Sequence, residues 1–544
     1  MFTELISAIL AAQQDPSQIP VVANLARSVT DWDDARVDEL IEQLADFGDE
    51  LQESEPDLAP ESPLPLSRMD QILQPIIHQL AARELNRKQN ASQTPVTVTR
   101  QINPDGWSDL RLRSIETLYR LAPVNSDLRN HLLRWLATSW NPEAIELWSE
   151  LVCQDPPEHR LGIGLAFAPL MQPGFRPGEK LLSLLLTQAT AHSQIAPVVF
   201  DLFNYYVRSG QVKKHPALPR AAPLTELLGR LVGQLSRIED GDFPANFAAR
   251  QINQLVSDSV ALIVALCDTF ALTGHEAAIP KLHQALRLRH RRVQTEAAAA
   301  LARLQDETGK QALIALAEQP VTRLRVLAYA DELGFKQEIS LELQGEIALA
   351  ESQLAIWLAE PDQMGLAPSN LELLDNREMF WPGFEHPVAC YLFKYAYGTG
   401  ESAHRNIGIC GPLTHAFAAD LQHLPIDEIY AAFAGWQTIH QDIFQMSSAR
   451  ATQVFPNELQ RLQSGLDDDT LDDVKVQTVG SFFGDLVLVA TARCEGQSGT
   501  IIVDNHDSTW YETGNFDAPI DWKLAYTIWR GKQLLSKFNS SEPS

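Results

Sequence analysis

Ala278-Ile279-Pro280-Lys281-Leu282 and, 34 residues later, Ala312-Leu313-Ile314-Ala315-Leu316 place one small-and-apolar pattern in two successive slots of the stretch Ala261–Gly334. The stretch reads as short amphipathic helices in pairs, with apolar residues three and four apart. A fixed period of this size predicts a stacked helical solenoid, because each hairpin can bury its apolar face only against the next. Such stacks present extended surfaces for binding.

The helix–turn–helix texture extends backwards from this stretch. Leu112, Ile115, Leu118, Tyr119 and Leu121 form one apolar stripe, and Leu132, Leu133, Trp135 and Leu136 the next. Asn141-Pro142-Glu143 predicts a helix start: Asn141 caps, and Pro142 sits in the first turn, where its missing N–H costs nothing. A Pro-rich loop within Lys214–Pro223 predicts an insertion near 210–225. Residues 1–45 read as helical. Residues 46–66 are acidic and Pro-rich and read as a flexible linker. The expected solenoid covers 67–360.

The segment Val293–Leu304 has alanines that let two helices approach closely and leucines, Leu301 and Leu304, that fill the space between repeats. It resembles the first helix of a HEAT-type repeat of the kind found in phycobilisome-lyase-like proteins. Ala278–Leu282 resembles the second helix. Gln294 stands where those repeats often carry Arg, and Ala302 where Gly is frequent. The clear resemblance covers about 261–334. It implies a repeat scaffold and, as one alternative, a bilin-lyase-like enzyme, but it carries over no catalytic residue. HEAT-like DNA glycosylases supply another alternative, a nucleic-acid binder.

Beyond Leu366 the texture changes. Residues 366–384 read as a loop with an aromatic cluster, Phe380, Trp381 and Phe384. Ala389–Tyr397 reads as a strand, Asp427–Phe444 as a helix, and 466–473 as an acidic loop. Val476–Phe483, Asp485–Ala492 and Thr500–Val503 read as strands, and Asp521–Phe538 as a closing helix. The fold class expected is therefore mainly α, a solenoid of HEAT-like hairpins followed by an α+β domain at 375–540.

The enzyme-like residues lie in that domain. Cys410, in the turn Gly408-Ile409-Cys410-Gly411-Pro412, is followed by His415; Asp504 and His506 complete a nucleophile–base–orienter set. Against this stands the ordinary behaviour of a lone cysteine as a small hydrophobe. His386 and Cys390, four apart, are the one pair with zinc-like spacing. Asp504–Thr509 gathers oxygen donors but lacks a calcium loop's glycine and distal glutamate, and reads as a hairpin turn. No phosphate-binding glycine motif occurs, and no cofactor is expected.

One basic run, Arg287, Arg289, Arg291 and Arg292, interrupts an acidic chain. It reads either as an anion contact or as a solvated turn paired with acidic neighbours. The formal net charge of −27 and pI near 4.9 oppose nucleic acid and anionic membrane as partners. Five widely spaced cysteines form no disulfide framework, which fits a reducing compartment. The N-terminus lacks a basic region, and the longest apolar run, Val260–Cys267, is far short of the roughly 20 residues of a membrane span. The expectation is a cytoplasmic interaction scaffold. It holds a protein partner on the solenoid's concave face, and the C-terminal domain is a cap or second binding surface. The oligomeric state stays open.

Overall fold

A computed structural model describes residues 2–54, 68–93, 107–124, 126–157, 160–189, 194–242, 248–384, 386–398, 403–437, 443–446, 456–466, 470–482, 485–504, 508–513 and 520–539. It divides into two compact units, Met1–Ala312 and Leu313–Ser544.

The first unit is helical: α1 (Phe2–Gln14), α2 (Ile19–Ala26), α3 (Asp34–Ser54), α4 (Arg68–Gln93), α5 (Asp109–Leu121), α6 (Asp127–Ser139) and α7 (Pro142–Gln154) come first. There follow α8 (Arg160–Phe167), α9 (Glu179–Ala189), α10 (Ala196–Arg208), α11 (Ala221–Glu239), α12 (Ala249–Thr273), α13 (Ile279–Leu286) and α14 (Arg291–Arg303). The unit boundary falls within α15 (Glu307–Leu316). Packing follows an every-second-helix rule. The even-numbered helices from α4 to α14 each touch the next even one, while α3 packs on α5, α5 on α7, α7 on α9 and α11 on α13. Sequence neighbours pack as well, α6 on α7, α11 on α12 and α13 on α14, and one continuous apolar core runs through the unit.

Local chemistry sets the helix ends. The Asn141 side chain accepts from the amides of Glu143 (2.9 Å) and Ala144 (3.1 Å), the cap expected from Asn-Pro-Glu. Ser108 and Ser126 cap α5 and α6 in the same way. Buried arginines then join successive helices. Arg129 donates through Nε to the Ala122 carbonyl that ends α5 (2.8 Å) and through Nη1 to Asp155 after α7 (2.6 Å). Arg111, fully buried, reaches Asp38 on α3 (2.5 Å).

Three expectations change here. Helices α13 and α15 begin 28 residues apart, at Ile279 and Glu307, and α14 and α16 (Pro320–Glu332) 29 apart. The 34-residue offset matches composition but not position, since Ala278–Leu282 opens one helix and Ala312–Leu316 closes the other. Helix α3 runs through Ser54, into the expected linker; residues 55–66 of that linker lie outside the described residues. The Pro-rich 210–225 stretch is folded in. His215 is buried, its Nε2 bonded to Asn204 Oδ1 (2.9 Å) and its Nδ1 accepting from the Ala217 amide (3.1 Å). Helix α12 is long and apolar enough to cross a membrane, its most apolar stretch having a mean hydropathy of 1.9. Its Ile263, Leu266 and Phe270 are instead buried where it packs on α10 and α14.

The second unit holds the end of α15, then α16, α17 (Glu346–Ala359) and two antiparallel sheets. The first sheet is the meander β1 (Asn370–Met379), β2 (Val388–Tyr397), β3 (His404–Cys410) and β4 (His415–Ala416), followed by α18 (Ile426–Gln437). The second adds β5 (Ile443–Met446) to the edge of a meander that follows α19 (Pro456–Ser464). Its strands are β6 (Leu471–Phe482), β7 (Asp485–Cys494), β8 (Gln497–Val503) and β9 (Ser508–Glu512), and α20 (Trp522–Asn539) closes the unit. One plan, a helix, a four-strand meander and a helix, thus occurs twice. Helices α18 and α20 share a core with the inner faces of both sheets: Leu392, Ile407 and Ile409 from one, Val487, Val489 and Ile502 from the other. Alternation sends Tyr391, Phe393, Tyr395 and Cys410 to the outer face under α17, and Leu486, Leu488, Ile501 and Val503 to the face under α19.

Residues 366–384 differ from the expected loop, because β1 spans ten of them. Its inward Leu371 and Leu373 alternate with the exposed Asn370, Glu372 and Leu374, and its register against β2 shifts between Leu373 and Asp375. The expected helix 427–444 stops at Gln437, since Ile443–Met446 finds strand partners in Val479–Phe482. The expected acidic loop at 466–473 yields Leu471–Asp473 to β6, and residues 467–469 lie outside the described residues.

Candidate functional site

Cys410 ends β3 and His415 opens β4. Their register pairs Ile409 with His415, so His415 shares a face with Ile409, and Cys410 points to the other. The thiol is fully buried among Leu354, Tyr391, Phe393 and Tyr395; its sulfur lies 3.4 Å from Thr414 Oγ1, and burial pushes its pKa up to about 11. A thiol held protonated at neutral pH is a poor nucleophile. His415 stacks on Trp436, with ring centroids 3.8 Å apart, and meets Phe417 and Phe433 edge-on. Burial and then the Lys523 charge push its pKa down to about 4. Asp504 accepts from Trp529 Nε1 (2.8 Å) and Gln533 Nε2 (3.0 Å), anchoring α20 to the end of β8. His506 lies outside the described residues.

Gly411 follows from packing too. It sits at φ +120°, and a Cβ there would lie 2.0 Å from the Ala389 carbonyl oxygen, so the glycine serves a close backbone approach to β2. Iodoacetamide is therefore expected to leave Cys410 unmodified in the native protein while labelling the half-exposed Cys494, as read by peptide mass spectrometry. Equal native labelling of both would contradict the buried placement.

His386 is exposed, whereas Cys390 is fully buried in the core shared with α18, with burial pushing its pKa up to about 12. Their spacing does not bring them into a ligand set. Among the described residues, no group of three or more His, Cys, Asp or Glu side chains is placed to hold a metal ion. Trp381 and Tyr511 lie in the second unit's own core, while Phe380 and Phe384 are exposed.

The basic run is different. Arg287, Arg289, Arg291 and Arg292 are all exposed, and none has an acidic ion-pair partner among the described residues. Arg291 donates to Gln294 (2.8 Å). Arg287 and Arg289 line an open groove of about 380 Å³, walled opposite by Gly229, Gly233 and Ser236 of α11. Two acids, Glu239 and Asp240, share the groove lining; Glu239 uses its carboxylate on backbone amides, those of Arg289 (2.8 and 2.9 Å) and His290 (3.1 Å), at the start of α14. The pairing with acidic neighbours is not found among the described residues.

A second groove, of about 610 Å³, lies between the start of α17 and strands β1 and β2. No local motif marks it, because its walls come from 342–351 and 373–393, which meet only through the sheet. Comparison of the chain with family models, characterised proteins and solved structures finds no match.

Proposed function

We propose that the protein is a non-enzymatic interaction scaffold, whose helical unit is a HEAT-type solenoid that holds an acidic segment of a protein partner along its concave face. The observation that carries this reading is the arginine-lined groove beside α13. Arg287 and Arg289 line the groove together with Glu239 and Asp240. With Arg291 and Arg292 close by in sequence, the four guanidinium groups, which have no acidic ion-pair partner among the described residues, outnumber those two carboxylates. In a chain of net charge −27 they offer a site that a negative segment would complete. The surrounding acidity and the short groove favour a protein segment over a nucleic-acid backbone. The thiol and imidazole that suggested chemistry are both used in apolar packing, on opposite faces of one sheet.

The test compares the full chain with its R287E/R289E/R291E/R292E variant, each purified gently from the native cell. The wild type is expected to retain a stoichiometric protein partner, and the variant to lose it by about tenfold or more with its helical circular dichroism intact. Recovery of the wild type as free monomer overturns the reading. So does a wild-type shift of duplex DNA at about 50 mM salt that the variant lacks, which assigns the arginines to phosphate contacts.

A further inference from the structure

We propose that the groove between α17 and strands β1 and β2 binds a cationic, amphipathic peptide segment of a protein partner. The inference rests on the reading of the chain as an interaction scaffold and assigns a ligand chemistry to the second unit. The floor of the groove is apolar: Phe393 and Tyr391, 1 and 7% exposed, continue the core beneath α17, and Leu373 and Ile347 form its sides. The rim is acidic. Glu342 and Glu346 are exposed and have no basic ion-pair partner among the described residues. A third carboxylate, Glu351, is already neutralised by the buried Arg323 (2.6 Å). The Tyr391 hydroxyl donates to Glu346 (3.1 Å) and holds that carboxylate beside the floor.

This combination selects its occupant. An apolar floor supplies affinity for an aliphatic or aromatic anchor, and uncompensated carboxylates at the rim favour Lys or Arg beside that anchor and disfavour acidic sequences. The apolar surface extends from Ile347, 43% exposed on the groove's side, to Leu341 beyond it, 81% exposed and adjacent in sequence to Glu342. Strand β1, which lines one wall through Leu373 and Asn376, is paired on one side only among the described residues. Its free edge offers backbone partners to an extended peptide. Volume fits as well: about 610 Å³ accommodates a few side chains and lies within the usual range of ligand clefts.

The test is fluorescence anisotropy of the full chain with a labelled peptide of about twelve residues, alternating lysine and leucine. A lysine-only peptide and a glutamate–leucine peptide are the comparators. The lysine–leucine peptide is expected to bind in the micromolar range, and the other two about tenfold more weakly or not at all. E342K/E346K is expected to weaken binding by about tenfold, and I347D by several-fold. D31K/E39K, which makes the same change in net charge on exposed residues of the helical unit, should stay within about twofold. The inference is overturned if the lysine–leucine peptide fails to bind, if lysine alone binds as well, or if the two charge-reversed variants weaken equally. Circular dichroism of each variant excludes unfolding as the cause. The peptide assay needs no native partner, so its failure alongside retained co-purification overturns the groove alone. Peptide binding by a chain that is recovered as free monomer overturns the arginine reading alone.

Discussion

Substituting Gly531 by alanine, in a background that also carries G435A, is expected to remove the cooperative unfolding transition of the second unit. Helices α18 and α20 touch backbone to backbone. A Cβ on Gly531 would lie 1.6 Å from the Ala431 carbonyl oxygen, and one on Gly435 1.9 Å from that of Thr527. Ala431 and Gly435 on one helix face Gly531 and Thr527 on the other, four residues apart on each, so the contact is antiparallel and uses the small-residue face of both. In an exposed helix, alanine for glycine would gain about 1 kcal/mol of propensity. Here overpacking opposes it, typically by about 1–3 kcal/mol per site, and more where the neighbour is backbone that cannot rotate away. Two such sites consume much of the roughly 5–15 kcal/mol that stabilises a folded domain. The readout is urea unfolding followed by near-ultraviolet circular dichroism, to which the buried Trp381 and Trp529 of this core contribute. A double variant with the wild-type midpoint would show that the helices are farther apart than the structure places them.

Arg323→Ala is expected to cost about 3–5 kcal/mol, the range for removing one partner of a buried ion pair. The side chain is 3% exposed and carries a dense set of bonds. Nε donates to the Ala317 carbonyl (2.9 Å), and Nη1 to the Ala348 carbonyl (2.8 Å), to Glu351 (2.6 Å) and to Ser352 (3.2 Å). Nη2 donates to the Glu318 carbonyl (3.2 Å). Deletion leaves carbonyls at the end of α15 and within α17 without their donor, and the Glu351 carboxylate without its charge partner. Lysine restores charge but cannot fork across two helices, so Arg323→Lys should recover only part of the loss. The exposed Arg287→Ala is the comparison, expected within about 0.5 kcal/mol of wild type. Chemical denaturation of the full chain measures all three, and equal midpoints for R323A and R287A would contradict the buried network.

The same arginine motif shows what could be read in advance. Arg129 and Arg323 each cap the carbonyl end of one helix and pair with an acid beyond it, yet in the sequence they look like any surface charge. Burial is a property of tertiary packing, so no local signal distinguishes them from Arg287 or Arg292. The basic run was legible because its four charges cluster. That Glu239, fifty residues upstream of Arg289, spends its carboxylate on backbone amides and forms no ion pair with them was decided by the fold.

Amphipathic spacing and capping chemistry are local, and the sequence by itself determined them. The helical stripes at 112–121 and 132–136, the Asn141 cap, the strands around 389–397 and 485–503 and the last helix all follow from residues within a turn or a strand of one another. Tertiary structure alone decided the remainder. β1 is a strand because β2 pairs with it, and β5 because β6 does. A two-residue alternation separates Cys410 from His415 although five positions divide them in sequence. The groove of Glu342, Glu346 and Phe393 exists only where a helix meets a sheet built from later residues. Register and packing join groups that are distant along the chain, and they place neighbours in sequence on opposite sides of a core.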